Sequence, residues 1–129
     1  MAHGQAYRLG DLQLRIMRVL WESGPQGVSD VMDQLGGNRL AYTTVATMLR
    51  KMEDRQLVRH QEEGRKFLYE PCISEQDVSR SMADELIDRM FGGCLTDAVS
   101  HLLDTREVDP AELSELEKLI KQRKKSSRR

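Results

Sequence analysis

Cysteine and aromatic residues are scarce in this 129-residue sequence: two Cys, and 5% Phe, Trp and Tyr together. Cys72 and Cys94 stand alone, without zinc or redox spacing, so neither a metal knuckle nor a disulfide framework is expected. So few aromatics argue against a stacking platform for single-stranded nucleic acid. No apolar run approaches the roughly 18 residues of a membrane span. The opening residues Met1-Ala2-His3-Gly4-Gln5 lack a charged stretch followed by an apolar one, so a cytoplasmic chain with reduced thiols is expected. A Gly-rich phosphate loop, HExxH, GxSxG and any Cys-His cluster are also missing. His3, His60 and His101 lie far apart and suit surface or wing positions. The sequence therefore predicts no enzyme, no metal and no cofactor.

What is present suits a globular chain: 39% apolar and 32% charged residues. That length makes one domain or two small lobes and buries roughly two-thirds of the unfolded surface. Net charge is −1 but unevenly spread. Residues 1–72 hold ten basic and nine acidic residues, 73–117 three and twelve, and 118–129 seven and none. Such a division predicts different tasks along the chain.

Hydrophobic spacing predicts a first helix capped by Asp11, with Leu12, Ile16, Val19 and Leu20 on one face and Met17 and Trp21 widening it. Ser23-Gly24-Pro25-Gln26-Gly27 ends it. A short helix follows, capped by Ser29, with Val31, Met32 and Leu35 inward, and Gly36-Gly37-Asn38 ends that one. The third runs from about Thr43 to Arg55, with Val45, Met48, Leu49 and Met52 on its apolar stripe. The period then changes to short extended runs, 57–61 and 66–70, around a Gly64-containing turn, which predicts a β-hairpin closed by Pro71. From Ser74 the pattern is helical again. Val78, Met82, Leu86, Ile87, Met90 and Phe91 form one stripe, Gly92-Gly93 breaks it, and Leu95, Ala98, Val99, Leu102 and Leu103 form the next. Asp109-Pro110 opens a last helix carrying Leu113, Leu116, Leu119 and Ile120. The domains read 1–72 head, 73–122 helical region and 123–129 basic frayed tail.

Three helices and a hairpin, in that order, make a winged helix-turn-helix: mostly α with a small β-hairpin. Its third helix packs one side inward and leaves the other free for the major groove. Here that free side carries Thr43, Thr44, Thr47, Arg50 and Lys51, and the hairpin turn carries Arg65 and Lys66. Residues 39–66 hold seven basic and four acidic residues, so the charge is positive where DNA would lie. A Thr and Arg face fits plain solvation too; the element order favours DNA. The expected division gives bases to Thr43, Thr47 and Arg50, and phosphates to Lys51, Arg65 and Lys66.

The run Leu40-Ala41-Tyr42-Thr43-Thr44-Val45-Ala46-Thr47-Met48-Leu49-Arg50-Lys51-Met52, then Leu57-Val58 and Glu63-Gly64-Arg65-Lys66-Phe67-Leu68-Tyr69, resembles the penicillinase-repressor (BlaI/MecI) family. Leu9-Gly10-Asp11-Leu12, Ile16-Met17 and Leu20-Trp21 are similar to its opening helix. The resemblance implies a homodimeric repressor on a dyad operator of double-stranded DNA, followed by a helical dimerisation region. Met82, Leu86, Met90, Leu95, Val99, Leu102, Leu103 and Leu116 are the dimerisation candidates; the bland alternative folds these helices onto the head. In β-lactam-responsive members a membrane sensor-protease triggers cleavage in this region. Alignment places that bond at His101-Leu102, whose residues differ from the family's Asn-Phe. The Cys-x-Cys of copper-responsive relatives is missing here. Cys94, opening a helix, is a minor redox candidate, and a small buried residue is the ordinary expectation for both cysteines. Two rivals stay open: a winged helix that binds only protein, and a repressor that senses a small molecule without proteolysis.

Overall fold

A computed structural model describes residues 7–36 and 40–127. Among them are six helices and one hairpin: α1 Asp11–Ser23, α2 Val28–Gln34, α3 Tyr42–Asp54, β1 Val58–Glu63, β2 Lys66–Pro71, α4 Glu75–Phe91, α5 Leu95–Thr105 and α6 Pro110–Ser127. The expected element order is therefore present. The stretch expected to end α2 falls partly, at Gly37 and Asn38, outside the described residues, as do His3, Arg128 and Arg129. No helix is long and apolar enough to cross a membrane.

The head's core follows the predicted stripes. Ile16, Met17 and Leu20 of α1, Val31 of α2, and Val45, Leu49 and Met52 of α3 are almost fully buried together with Val58. Trp21 is half-buried and donates Nε1–H to the Ile73 carbonyl at 2.9 Å. That bond pins the segment leaving the hairpin against α1. Arg15 donates to the Leu35 carbonyl at 2.9 Å, satisfying one acceptor left open at the end of α2.

The hairpin is antiparallel, with Val58 opposite Pro71 and Glu63 opposite Lys66. This leaves Gly64-Arg65 as a two-residue turn. Gly64 has φ 64°, as a tight hairpin requires at its first position. Gly24, at φ 78°, turns the chain out of α1 and toward the hairpin. Gln26 then bridges Tyr69 as a one-residue third strand, with N–H···O distances of 3.0 and 2.8 Å.

The end of α3 is a Schellman motif. The Leu57 amide donates to the Met52 carbonyl and the Gln56 amide to the Glu53 carbonyl, both at 2.9 Å. The left-handed position belongs to Gln56, φ 64°, rather than to glycine. A side chain there costs about 1–2 kcal/mol, against the smaller loss that glycine's freedom brings. Gln56→Gly is therefore expected to stabilise the head by roughly 0.5–1 kcal/mol, read from denaturant melts; a loss of stability would contradict this account of the α3 terminus.

Several expectations need correction. Gly10 and Gly27, not Asp11 and Ser29, precede the first two helices as caps. Asp11 instead begins α1, where its carboxylate suits the positive end of the helix. Ser74 and Asp109 do cap α4 and α6, accepting the amides of Asp77 and Glu112 at 3.0 and 2.8 Å. The head does not stop at residue 72. One compact unit extends to Glu85, and a second takes the described residues from Leu86 on. Val78 is buried in the head's core, Met82 packs half-buried against it, and Ser81 Oγ accepts the Tyr7 amide at 2.8 Å. Met82 thus belongs to the head rather than to a free stripe. The basic end expected to fray from 123 is helical to Ser127. Lys and Arg are good helix formers and suit the negative end of the helix. Cys72 and Cys94 are both exposed, contrary to the buried expectation.

The second unit has a different character. Leu86, Met90, Leu95, Val99, Leu102 and Leu103 are exposed, with Met90 at 69%. So are Leu113, Leu119 and Ile120 on α6, while Leu116 is half-buried. Among its described residues Ala98 alone is buried.

Candidate nucleic-acid interface

The α3 helix is built to be read from outside. Val45, Leu49 and Met52 anchor one side in the core, which fixes the other side outward. Thr43, Thr44, Thr47, Arg50 and Lys51 are all exposed, as are Arg65 and Lys66 at the wing turn. Every sequence-predicted DNA residue therefore lies on the surface of the head.

Their lack of protein partners separates these cations from several others in the head. Arg15 and Arg55 donate to backbone carbonyls, the latter at 2.8 Å to Arg8. Arg59 pairs with Glu70 across the hairpin at 2.7 Å. Among the described residues no ion pair or side-chain hydrogen bond engages Arg50, Lys51, Arg65 or Lys66. A group of uncompensated cations produces a local positive potential suited to phosphate.

The outer side of α3 divides into two stripes. Thr43, Thr44, Thr47, Met48 and Lys51 line one shallow hollow. Tyr42, Ala46 and Arg50, spaced i, i+4, i+8, line a second hollow shared with Arg65, Lys66 and Tyr69 of the wing. Asp30, at the start of α2, contributes the only carboxylate to that second lining. The structure thus groups Arg50 with the wing cations and Lys51 with the threonines. Tyr42, 55% exposed, was missed by the sequence reading, although its spacing from Arg50 carried the signal.

The wing is held against α3 by His60, which the sequence places on the surface or the wing and for which it predicts no partner. His60 Nδ1 lies 2.6 and 2.8 Å from the Glu53 carboxylate oxygens, an arrangement that places the hydrogen on Nδ1. Its ring stacks on Phe67 at 4.1 Å. Tyr69 anchors the base of the wing. Burial pushes its phenol pKa up, the nearby Glu53 carboxylate adds to this, and the Arg50 charge opposes it. Behind the wing, partial burial pushes the Cys72 thiol pKa up, with Arg59 opposing, so Cys72 is a poor nucleophile despite its exposure.

Other candidates come together less. His101 and Leu102 sit on successive exposed positions within α5. Among the described residues no group of His, Cys, Asp and Glu could hold a metal ion.

Comparison with known proteins agrees with this geometry. The family model described as penicillinase repressor matches residues 9–122. A protein named penicillinase repressor, from Bacillus licheniformis, is 25% identical over 118 residues, spanning 91% of this chain and 92% of that one. Transcriptional regulator BlaI of Mycobacterium tuberculosis is 34% identical over 118 residues, spanning 85% and 86%. Among solved structures, the DNA-binding domain of the repressor BlaI superposes with a TM-score of 0.50 at 28% identity, covering 57% of this chain and 90% of that one.

Proposed function

The chain belongs to the penicillinase repressor family, and from that membership we propose that it is a homodimeric repressor whose paired heads grip a dyad-symmetric operator with α3 and the wing. It is a DNA-binding transcriptional repressor of the BlaI type, not an enzyme. The observation that carries the reading is the set of four exposed cations, Arg50, Lys51, Arg65 and Lys66, on the outer side of α3 and its adjoining wing, unpaired among the described residues.

The second unit supports the dimer. With Ala98 its one buried side chain among the described residues, it buries too little apolar surface to hold itself together. A second copy offering the same stripe covers both. Two symmetric heads then meet half-sites one or more helical turns apart. Cleavage at His101-Leu102 by a sensor-protease is the finer part of the proposal, and a cytoplasmic location goes with it. The bond lies inside α5, so that helix must unwind before the bond enters a protease cleft.

The test is binding of the purified full chain to DNA from upstream of its own gene, titrated against salt. Three phosphate-binding cations on each of two heads predict a slope of log affinity against log salt near −5, by the rule of roughly 0.9 per phosphate contact. Selective binding at two protomers per site is the expected result. Equal affinity for a scrambled duplex, or an affinity indifferent to salt, overturns it in favour of a protein-binding winged helix.

A further inference from the structure

The geometry points to a phosphodiester site in the hollow between α3 and the wing, built by Arg50 with Arg65 and Lys66, which leaves base reading to the threonine stripe. This inference rests on the proposed DNA reading and divides its labour differently from what residue types alone suggest. By type, Arg50 on a recognition helix is a candidate for guanine. By position, it is not on the side that the threonines share.

Three observations place it. First, Thr43, Thr47 and Lys51 are spaced i, i+4, i+8, and so are Tyr42, Ala46 and Arg50, one residue earlier and therefore about 100° round the helix. The two sets line separate hollows. Second, Arg50 and Tyr69 of β2 line the same hollow, which puts the Arg50 side chain on the wing side of α3. Third, the second hollow brings three cations from two segments to one place, with Asp30 the sole opposing carboxylate in its lining. Like charges held close without a partner repel one another, and an anion between them reverses the sign of that energy.

The rest of the lining suits a backbone oxyanion better than a base edge. Tyr42 brings a phenolic hydroxyl, a donor of the kind that phosphates accept. Ala46, in the middle of the stripe, is short, so the Tyr42 and Arg50 side chains leave room between them. Phosphate contacts position a protein on DNA without carrying sequence information. The His60–Glu53 contact then fixes the distance between the two halves of the site, because it ties β1 to the last turn of α3.

The experiment uses the full chain and a random-sequence duplex, so it does not depend on knowing the operator. Binding of the parent, Arg50→Ala, Arg50→Lys and Arg18→Ala is measured by fluorescence anisotropy across a salt series. Arg18 is an exposed arginine of α1 outside both hollows, and its removal changes the net charge equally. Arg50→Ala is expected to weaken random-duplex binding roughly tenfold per engaged head. Its salt slope should fall by about 0.9 per head. Arg50→Lys should restore the slope, since a point charge suffices for phosphate, and Arg18→Ala should leave it alone. A slope unchanged in Arg50→Ala, or lowered equally by Arg18→Ala, overturns the site. So does a loss of selectivity at one base pair of a selected sequence with the random-duplex slope intact, because Arg50 is then a base reader. If the parent binds no duplex at any salt, the DNA reading itself fails and takes this site with it.

Discussion

Leu102→Asp is expected to turn the proposed dimer into a monomer and to weaken operator binding by at least a hundredfold. Leu102 is 46% exposed in the single chain, on the same α5 side as Leu95, Val99 and Leu103. A leucine covered by a partner contributes about 1.5–3 kcal/mol, and two-fold symmetry counts it twice. Asp removes that gain and brings two carboxylates into an apolar contact. Losing the link between two heads then removes an avidity of roughly 10²–10⁴. Because Leu102 is not in the head's core, the melt of the head should not move. Sedimentation and anisotropy read the two effects separately. A variant that stays dimeric at micromolar concentration rules α5 out of the interface.

Leu49→Ala is the second large effect. Leu49 is fully buried, on the inner side of α3 among the residues that seat it against α1 and α2. Truncating a buried leucine costs about 2–5 kcal/mol, part lost transfer energy and part residual cavity. A domain this small has about 5–10 kcal/mol in all. At about 4–8 °C per kcal/mol for a domain of this size, the expected fall in Tm is at least roughly 8 °C and up to about 40 °C, followed by circular dichroism. DNA binding should survive well below the new Tm, since no outward side chain of α3 changes. A shift of only a degree or two means that α3 is not held by the core as described.

The two predictions act on surfaces that were unequally legible in the sequence. The inner side of α3 was plain, because Val45, Leu49 and Met52 recur with the helical period and nothing else explains that spacing. The hairpin was plain too, since strand-forming runs flank Gly64. The C-terminal stripe was visible as a pattern, but its exposure was not. Periodicity reveals that a side is apolar, not whether its own chain covers it. Met82 shows the difference: it continues the stripe of Leu86 and Met90, yet it packs on the head while they stay exposed.

Caps were legible where a side chain does the capping and hidden where the backbone does. Ser74 and Asp109 announce themselves through their oxygens. Gly10 and Gly27 do not, and the nearby Asp11 and Ser29 attracted the assignment instead. The end of α3 was hidden for a related reason: nothing about Gln56 as a residue type signals a left-handed conformation.

By itself the sequence determined the element order, the buried side of each head helix, the turn of the wing and the identity of the outward residues. All of these follow from short-range spacing and from the conformational preferences of single residues. The tertiary structure alone decided the Gln26–Tyr69 bridge, the reach of the head to Glu85, the His60–Glu53 contact and the grouping of Arg50 with the wing. Most of these depend on where one element comes to rest against another. The Trp21–Ile73 bond, for example, joins residues 52 positions apart. A local pattern specifies which side of an element will be covered; the packing of distant segments specifies by what, and therefore what the remaining side can hold.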